Sequence, residues 1–208
     1  MRAWYESRIF PHVLNTATRP LYPARRALLE HARGRVLELG VGTGANFEHY
    51  PAAASEIVGI EPVASMLALA AQRAGSRDDA RRFRLVGAPA EQLPFADHSF
   101  DTVIGCLVFC TVADPVTAAN EAFRVLKPGG QLLLMEHVAS EQPGRLRLQR
   151  WLNPLWRPLA CGCEIHRDTG QVLAQAGFDL DAVKRWHHPR LAPPMRELLY
   201  GSAMRPGG

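Results

Sequence analysis

The sequence predicts an α/β fold built on a doubly wound, mostly parallel sheet of seven strands, with helices on both faces. Three observations predict it. Short runs of apolar and β-branched residues alternate with stretches of helical spacing, the pattern of repeated βαβ units. The first such run, RVLELG, ends in a glycine-rich turn, VGTG. The second, EIVGIEP, closes on an acid, Glu61, about twenty positions further on.

Each element has its own signal. Residues 1–33 read as helical and partly amphipathic, broken at Pro11, Pro20 and Pro23. After RVLELG there is room for one crossover helix before the second strand at 56–62. SMLALAAQRAG reads as a helix ending at Gly75, with Arg73 in its last turn. A third strand lies near 82–86, followed by the irregular segment APAEQLPF. FDTVIGCLVFC holds the fourth strand. Asp114-Pro115 starts a helix, Asp as N-cap and Pro at the first helical position. KPGG ends that helix near Leu126, and QLLLMEH is the fifth strand. DTGQVLAQAGF is a helix ending at Gly177; FDLDAVKRW and RELLYGSAM are the last strands.

The chain has 208 residues and reads as one domain. It divides into an N-terminal segment and lid candidate (1–33), a cofactor-binding core (34–137) and an acceptor side (138–208). A hydrophobic share of 47% excludes a disordered chain. No apolar run reaches the roughly 18 residues of a membrane span, and no secretory signal is evident, so a cytoplasmic location is expected. The net charge of +4 is carried almost entirely by arginine and is scattered; no nucleic-acid motif accompanies it. RLRLQRWLNPLWRP is denser, with two readings: a solvated helix and loop, or a surface facing lipid or substrate. Membrane association is therefore open but not required.

The four cysteines form a C-x3-C pair, Cys106 and Cys110, and a C-x-C pair, Cys161 and Cys163. Neither is the C-x2-C of common zinc sites, so no metal is expected. Disulfides are not expected in a cytosolic chain.

Gly40, Gly42 and Gly44 raise a specific question, because glycine in a loop costs conformational entropy. An ordinary tight turn is one reading. The other is a ligand approaching the backbone at the carboxyl ends of the strands, with Glu61 accepting the hydroxyl hydrogens of a ribose. The spacing is G-x-G-x-G rather than the dinucleotide G-x-G-x-x-G.

LELGVGTG, IEP, AEQLPF, SFDTV and RVLKPGG, in that order, resemble the class I methyltransferases that use S-adenosylmethionine, a Rossmann-like family. The resemblance implies a glycine loop beneath the methionine part of the cofactor and a ribose on Glu61. Pro62 and Met66 join that set. Ala90, through its backbone amide, and Glu91 lie on the adenine side; Cys106 and Leu107 offer backbone carbonyls to the methionine amine. Glu38 belongs to the same cofactor-side set and is expected to order the loop rather than perform chemistry. Pro89 stands where many relatives have Asp. GTGANFEHYP, CLVFCTV, KPGGQLLLMEHVA, LNPLWRPLACGC with Arg167, and YGSA resemble a subgroup that includes animal thiol S-methyltransferases, close to ubiquinone-type C-methyltransferases and bacterial phospholipid N-methyltransferases. The animal members carry a hydrophobic N-terminal anchor that is not read in this chain.

The expected function is therefore S-adenosylmethionine-dependent methylation of a small, fairly apolar thiol. Phospholipid N-methylation or quinone and phenol methylation is the alternative, and non-catalytic cofactor binding a third reading. His137 is the candidate general base, against a role orienting a loop. Phe109, Trp151, Trp156 and Cys163 are candidate pocket residues, against core packing. Arg167 either anchors an acidic substrate or caps a carbonyl. Acceptor contacts are also expected from SRIFP near the start.

Overall fold

The structure, a computed structural model, describes residue 5 and residues 9–207. The strands are β1 (Gly34–Leu39), β2 (Ala54–Ile60), β3 (Phe83–Val86), β4 (Phe100–Cys106), β5 (Leu126–His137), β6 (Val183–His187) and β7 (Glu197–Met204). They form one sheet in the order β3-β2-β1-β4-β5-β7-β6. Strands β1 to β5 pair in parallel, while β7 runs antiparallel to both β5 and β6. The helices are α1 (Phe10–Ala17), α2 (Tyr22–Leu29), α3 (Ala64–Gly75), α4 (Pro115–Val125), α5 (Pro143–Leu159) and α6 (Thr169–Gln175). Among the described residues, no helix is long and apolar enough to cross a membrane.

The run LLLM explains why the sheet is covered on both faces. Side chains alternate along a strand. Leu132 and Leu134 join Leu37, Leu39 and Val103 against Ala118, Ala119 and Ala122 of α4 and Leu173 of α6. Leu133 and Met135 join Val36, Ile57 and Ile104 against Leu28 and Leu29 of α2 and Ala70 and Ala74 of α3. The three alanines of α4 let that helix lie close to the strands. Chain order reverses between β1 and β4, so the crevice at their carboxyl ends is where ligands of such sheets bind.

Several expectations need correction. The β1–β2 connection holds no α-helix, only turns and a 3-10 segment at Phe47–His49. Gly40, Gly42 and Gly44 have φ of 57°, 55° and 76°, and left-handed residues interrupt a right-handed helix. Pro11 and Pro23 begin helices rather than break them, because the first turn needs no N–H from them. KPGG is an excursion inside β5, whose pairing jumps from Phe100–Leu126 to Thr102–Gln131. The expected strand FDLDAVKRW is broken: Asp179 pairs with Met204 in an isolated antiparallel bridge, and a turn follows at 181–182 before β6. The segment read as helix and loop is one continuous helix, α5, with Pro154 and Pro158 inside it.

Two local signals match the structure. Asp114 caps α4, accepting from the N–H groups of Val116 and Thr117 at 3.0 and 3.1 Å. Helix α3 ends at Gly75 as expected.

The two kinds of glycine predict opposite effects. A Cβ on Gly44 would meet Phe47 at 2.6 Å at a left-handed φ, so Gly44→Ala should lower stability by at least about 1 kcal/mol. A Cβ on Gly75 meets nothing within 4 Å, so Gly75→Ala should raise it by about 0.5 kcal/mol. Urea unfolding of both variants against the parent measures the pair.

Candidate active site at the carboxyl ends of β1, β2, β4 and β5

The glycine loop is held from beneath by two carboxylates. Glu38, 2% exposed, accepts from Asn46 Nδ2 and the Tyr50 hydroxyl, each at 2.7 Å. It orders the loop, as expected. Burial pushes its pKa up from 4.5 to about 7, against the two hydrogen bonds and the nearby Arg25 charge. Glu61 accepts from the Gly42 N–H at 3.0 Å and the Val63 N–H at 2.9 Å. Burial raises its pKa too, while the two amides oppose the rise. Each of its oxygens uses one acceptor site on the backbone and keeps another for a ligand. A Cβ on Gly42 would enter open space, unlike one on Gly40 or Gly44. The loop thus leaves room where the cofactor is expected, with Glu61 fixed under it. Thr43 also meets Asn15 of α1 at 3.1 Å, which ties the N-terminal helices to this loop. The Tyr5 hydroxyl donates to the Leu159 carbonyl at 2.7 Å. Ser7 and Arg8 of SRIFP lie outside the described residues.

The other expected cofactor-side residues have distinct placements. Met66 and Ala90 are buried at 6% and 5%, and Pro62 is exposed. Glu91 turns away to the start of α4, accepting from the N–H groups of Ala113 and Asp114 at 2.8 and 3.2 Å. Removal from water pushes the Cys106 thiol up to about 12, so it stays protonated.

Sequence reasoning missed the residue that builds the far wall. Glu136 in β5 is fully buried and accepts from the N–H groups of Val108, Phe109 and Cys110 at 2.6, 3.1 and 3.2 Å. Burial raises its pKa to about 7, against those three donors. Its sequence signal was a lone acid in the apolar run LLLMEH. Leu107 takes a left-handed φ of 62° to turn the chain over this carboxylate. Its carbonyl accepts from the Thr111 hydroxyl at 2.9 Å. Arg167 then fixes the turn from outside, donating to the carbonyls of Phe109 and Val112 at 2.6 and 2.7 Å and pairing with Glu164. Of its two readings, the structure supports the carbonyl cap. Phe109 itself is fully buried beside Gly105, in the core.

The turn brings Cys110 to His137 and Cys163. The two sulfurs are 3.6 Å apart, and His137 Nδ1 is 3.8 Å from Cys163 Sγ. All three residues are buried. The hydrogen bond with Cys110, and then His137, hold the Cys163 thiol well below its usual range; the same bond, and then burial, raise Cys110. His137 thus faces a protein thiol at Nδ1. Trp156, Ile165 and Met195 pack with Cys110 and Cys163 and also line a cavity of about 160 Å³, with Leu152, Leu155 and Leu159 of α5. Trp156 therefore walls a pocket, whereas Trp151 is 72% exposed and does not. Helix α5 presents Leu148, Trp151, Leu155 and Leu159 outward and buries Gln149 and Asn153. Gln149 is satisfied inside by the Ser140 N–H and the carbonyls of Val138 and Pro194, at 2.8 to 3.0 Å.

The methyltransferase domain family matches residues 37–134. The thiol S-methyltransferase TMT1B of Homo sapiens is 30% identical, over 94% of this chain and 86% of its own length. TMT1B of Rattus norvegicus is 34% identical over 74% of this chain, and the match spans 63% of that relative, under two thirds of it. A demethylmenaquinone methyltransferase of Thermus thermophilus is 40% identical over 54% of this chain and 52% of its own. Among solved structures, an S-adenosylmethionine-dependent methyltransferase of Thermotoga maritima has a TM-score of 0.65 at 22% identity, over 97% of this chain and 99% of that one. The cyclase SpnF has a TM-score of 0.70 at 22% identity, over 95% and 81%. These two show the fold. The chain belongs to the class I methyltransferases whose cofactor is S-adenosylmethionine. Within them it falls in the thiol S-methyltransferase-like subgroup, which is related to the quinone methyltransferases.

Buried Glu38 sets a pH dependence. Its folded pKa lies above its ordinary value, so the folded state holds the proton more tightly. Stability then falls as pH rises from 4.5 through about 7. Each such group contributes a slope approaching about 1.4 kcal/mol per pH unit in that window. Glu38→Gln should remove one group's share; denaturant unfolding at stepped pH values reads it, and an unchanged slope would mean Glu38 is ionised throughout.

Proposed function

We propose that this methyltransferase methylates the sulfur of a small, apolar thiol. The observation that carries the reading is the cavity of about 160 Å³, lined by apolar side chains, of which Trp156, Ile165 and Met195 also pack with Cys110 and Cys163. The thiol S-methyltransferase relatives support it.

When bound, S-adenosylmethionine supplies a methyl group on a sulfonium cation. In this reading Gly40, Gly42 and Gly44 form the floor under it, and Glu61 accepts from the ribose hydroxyls with its remaining acceptor sites. Pro62, Met66 and the Ala90 amide border the nucleoside, and the backbone at Cys106 and Leu107 receives the amine. The apolar wall of Trp156, Ile165 and Met195 excludes water from the acceptor sulfur. Water exclusion favours a step in which an anion and a cation cancel. Holding the two sulfurs at about 3 to 3.5 Å supplies much of the remaining acceleration. A thiol with a reference pKa of about 8.5 ionises appreciably without a dedicated base. That matters here, because His137 Nδ1 is directed at Cys163.

A second reading is methylation of a lipid amine or a quinone. The outward apolar stripe of α5 and the quinone methyltransferase relatives favour it.

Two measurements test these assignments. Mass spectrometry of product from matched acceptors, an aryl thiol, its phenol, its aniline and a phosphatidylethanolamine dispersion, should find methyl on the thiol alone; methyl on lipid or phenol instead would replace the thiol reading. Glu61→Gln should weaken cofactor binding by on the order of 1–3 kcal/mol, through lost charge-assisted hydrogen bonds. Calorimetry giving parental affinity would remove Glu61 from the ribose site.

A further inference from the structure

We propose that Cys110, His137 and Cys163 form a three-ligand zinc site whose fourth position takes the acceptor sulfur. The second clause rests on the thiol reading above; the first does not.

The donor atoms already have the spacing that zinc requires. Zinc–sulfur and zinc–nitrogen bonds of about 2.3 and 2.0–2.1 Å, set tetrahedrally, put neighbouring ligand atoms about 3.5–3.8 Å apart. The Cys110–Cys163 sulfur pair is 3.6 Å apart and the Cys163–His137 pair 3.8 Å, and all three atoms lie within 4.8 Å of one another. Two thiols and an imidazole are a zinc donor set. Each comes from a different part of the fold, so the match is not a by-product of one local turn.

Each donor is also held by its backbone. The Cys110 N–H donates to Glu136 at 3.2 Å, and its carbonyl accepts from the Glu164 N–H at 2.7 Å. Cys161 and Gly162 take left-handed φ of 48° and 104°, which folds the chain after α5 back so that the Cys163 N–H reaches the Ala160 carbonyl at 3.1 Å. His137 closes β5, paired opposite Leu198 of β7. The oxygens of Glu136 are spent on amides, which leaves three protein ligands rather than four. Three protein ligands with one open position is the arrangement of reactive zinc sites, not structural ones.

Charge and surroundings agree. Two thiolates and one divalent cation sum to zero, which suits a buried site. The Trp156 side chain packs with Cys110 and Cys163, and its indole N–H is buried with no hydrogen-bond partner. Trp156, Ile165 and Met195 line the apolar cavity and also pack with Cys110 and Cys163, and the proposal seats the apolar part of the acceptor there. An acceptor thiol binding there releases its proton to solvent. Its sulfur lone pair then forms the S–CH3 bond as the sulfonium–methyl bond breaks, giving two neutral sulfides, and zinc does not change oxidation state.

The test uses the full chain, stripped with a chelator and reloaded with Zn²⁺ or Co²⁺. The expected result is one metal per chain, with a thiolate-to-cobalt charge-transfer band. Cys110→Ser, Cys163→Ser and His137→Ala should each weaken binding by roughly 100-fold or more while cofactor binding persists, and Cys161→Ser should not. Substoichiometric metal, parental affinity in the Cys163→Ser variant, or a Cys110–Cys163 disulfide in protein purified with zinc would overturn the site. Adding an aryl thiol should alter the cobalt band and its phenol should not. A band indifferent to the thiol would overturn the fourth-ligand assignment. Bound metal together with methylation of the phenol alone would end the thiol reading and leave the metal site standing.

Discussion

The carboxylate of Glu136, shut away from water, meets three backbone N–H groups at the end of β4, and the rest of the site is arranged around that contact. A buried acid left without donors would be costly, and three amides aimed at one group demand a sharp turn. Leu107 supplies the turn with a backbone conformation that side chains resist. Gly105 supplies the space, since a Cβ there would meet the Phe109 ring at 2.9 Å. The strand end that faces the cofactor crevice and the residue that faces Cys163 are therefore two sides of one bend.

The parts of this site that were legible in the sequence are local. The glycine loop, Glu61 after β2 and the Asp114-Pro115 cap each express their geometry within a few residues, so spacing alone carries them. The cluster of Cys110, His137 and Cys163 was not legible as a unit, because 53 residues separate its cysteines and only the sheet order brings β4, β5 and the chain after α5 together. Spacing rules for metal sites describe ligands paired within one loop; here each cysteine pair contributes one member. The prolines near the start were misjudged for a different reason. Proline forbids a helix interior but suits a first turn, and residue type does not say which position it fills. Helix α5 can turn apolar side chains outward because Gln149 finds three backbone partners inside, which removes the usual cost of burying an amide.

The fold itself does not select the chemistry. A cyclase shares it at a TM-score of 0.70, and relatives that methylate thiols and quinone precursors share long stretches of sequence. The acceptor proposed above rests instead on local features of this chain: a short apolar cavity lined in part by leucines of α5, beside the buried Cys110–Cys163 pair.

Arg167 bears on how loss-of-function data from this family should be interpreted. An arginine near an acceptor pocket invites the inference of an anionic substrate. Here its guanidinium is already engaged by two carbonyls and Glu164, and its own carbonyl receives the Ala139 N–H at 2.9 Å. It is a fastener joining the strap after β4 to the strap after β5. An inactive substitution at that position reports a slackened scaffold, and the electrical character of the acceptor has to be read from other residues.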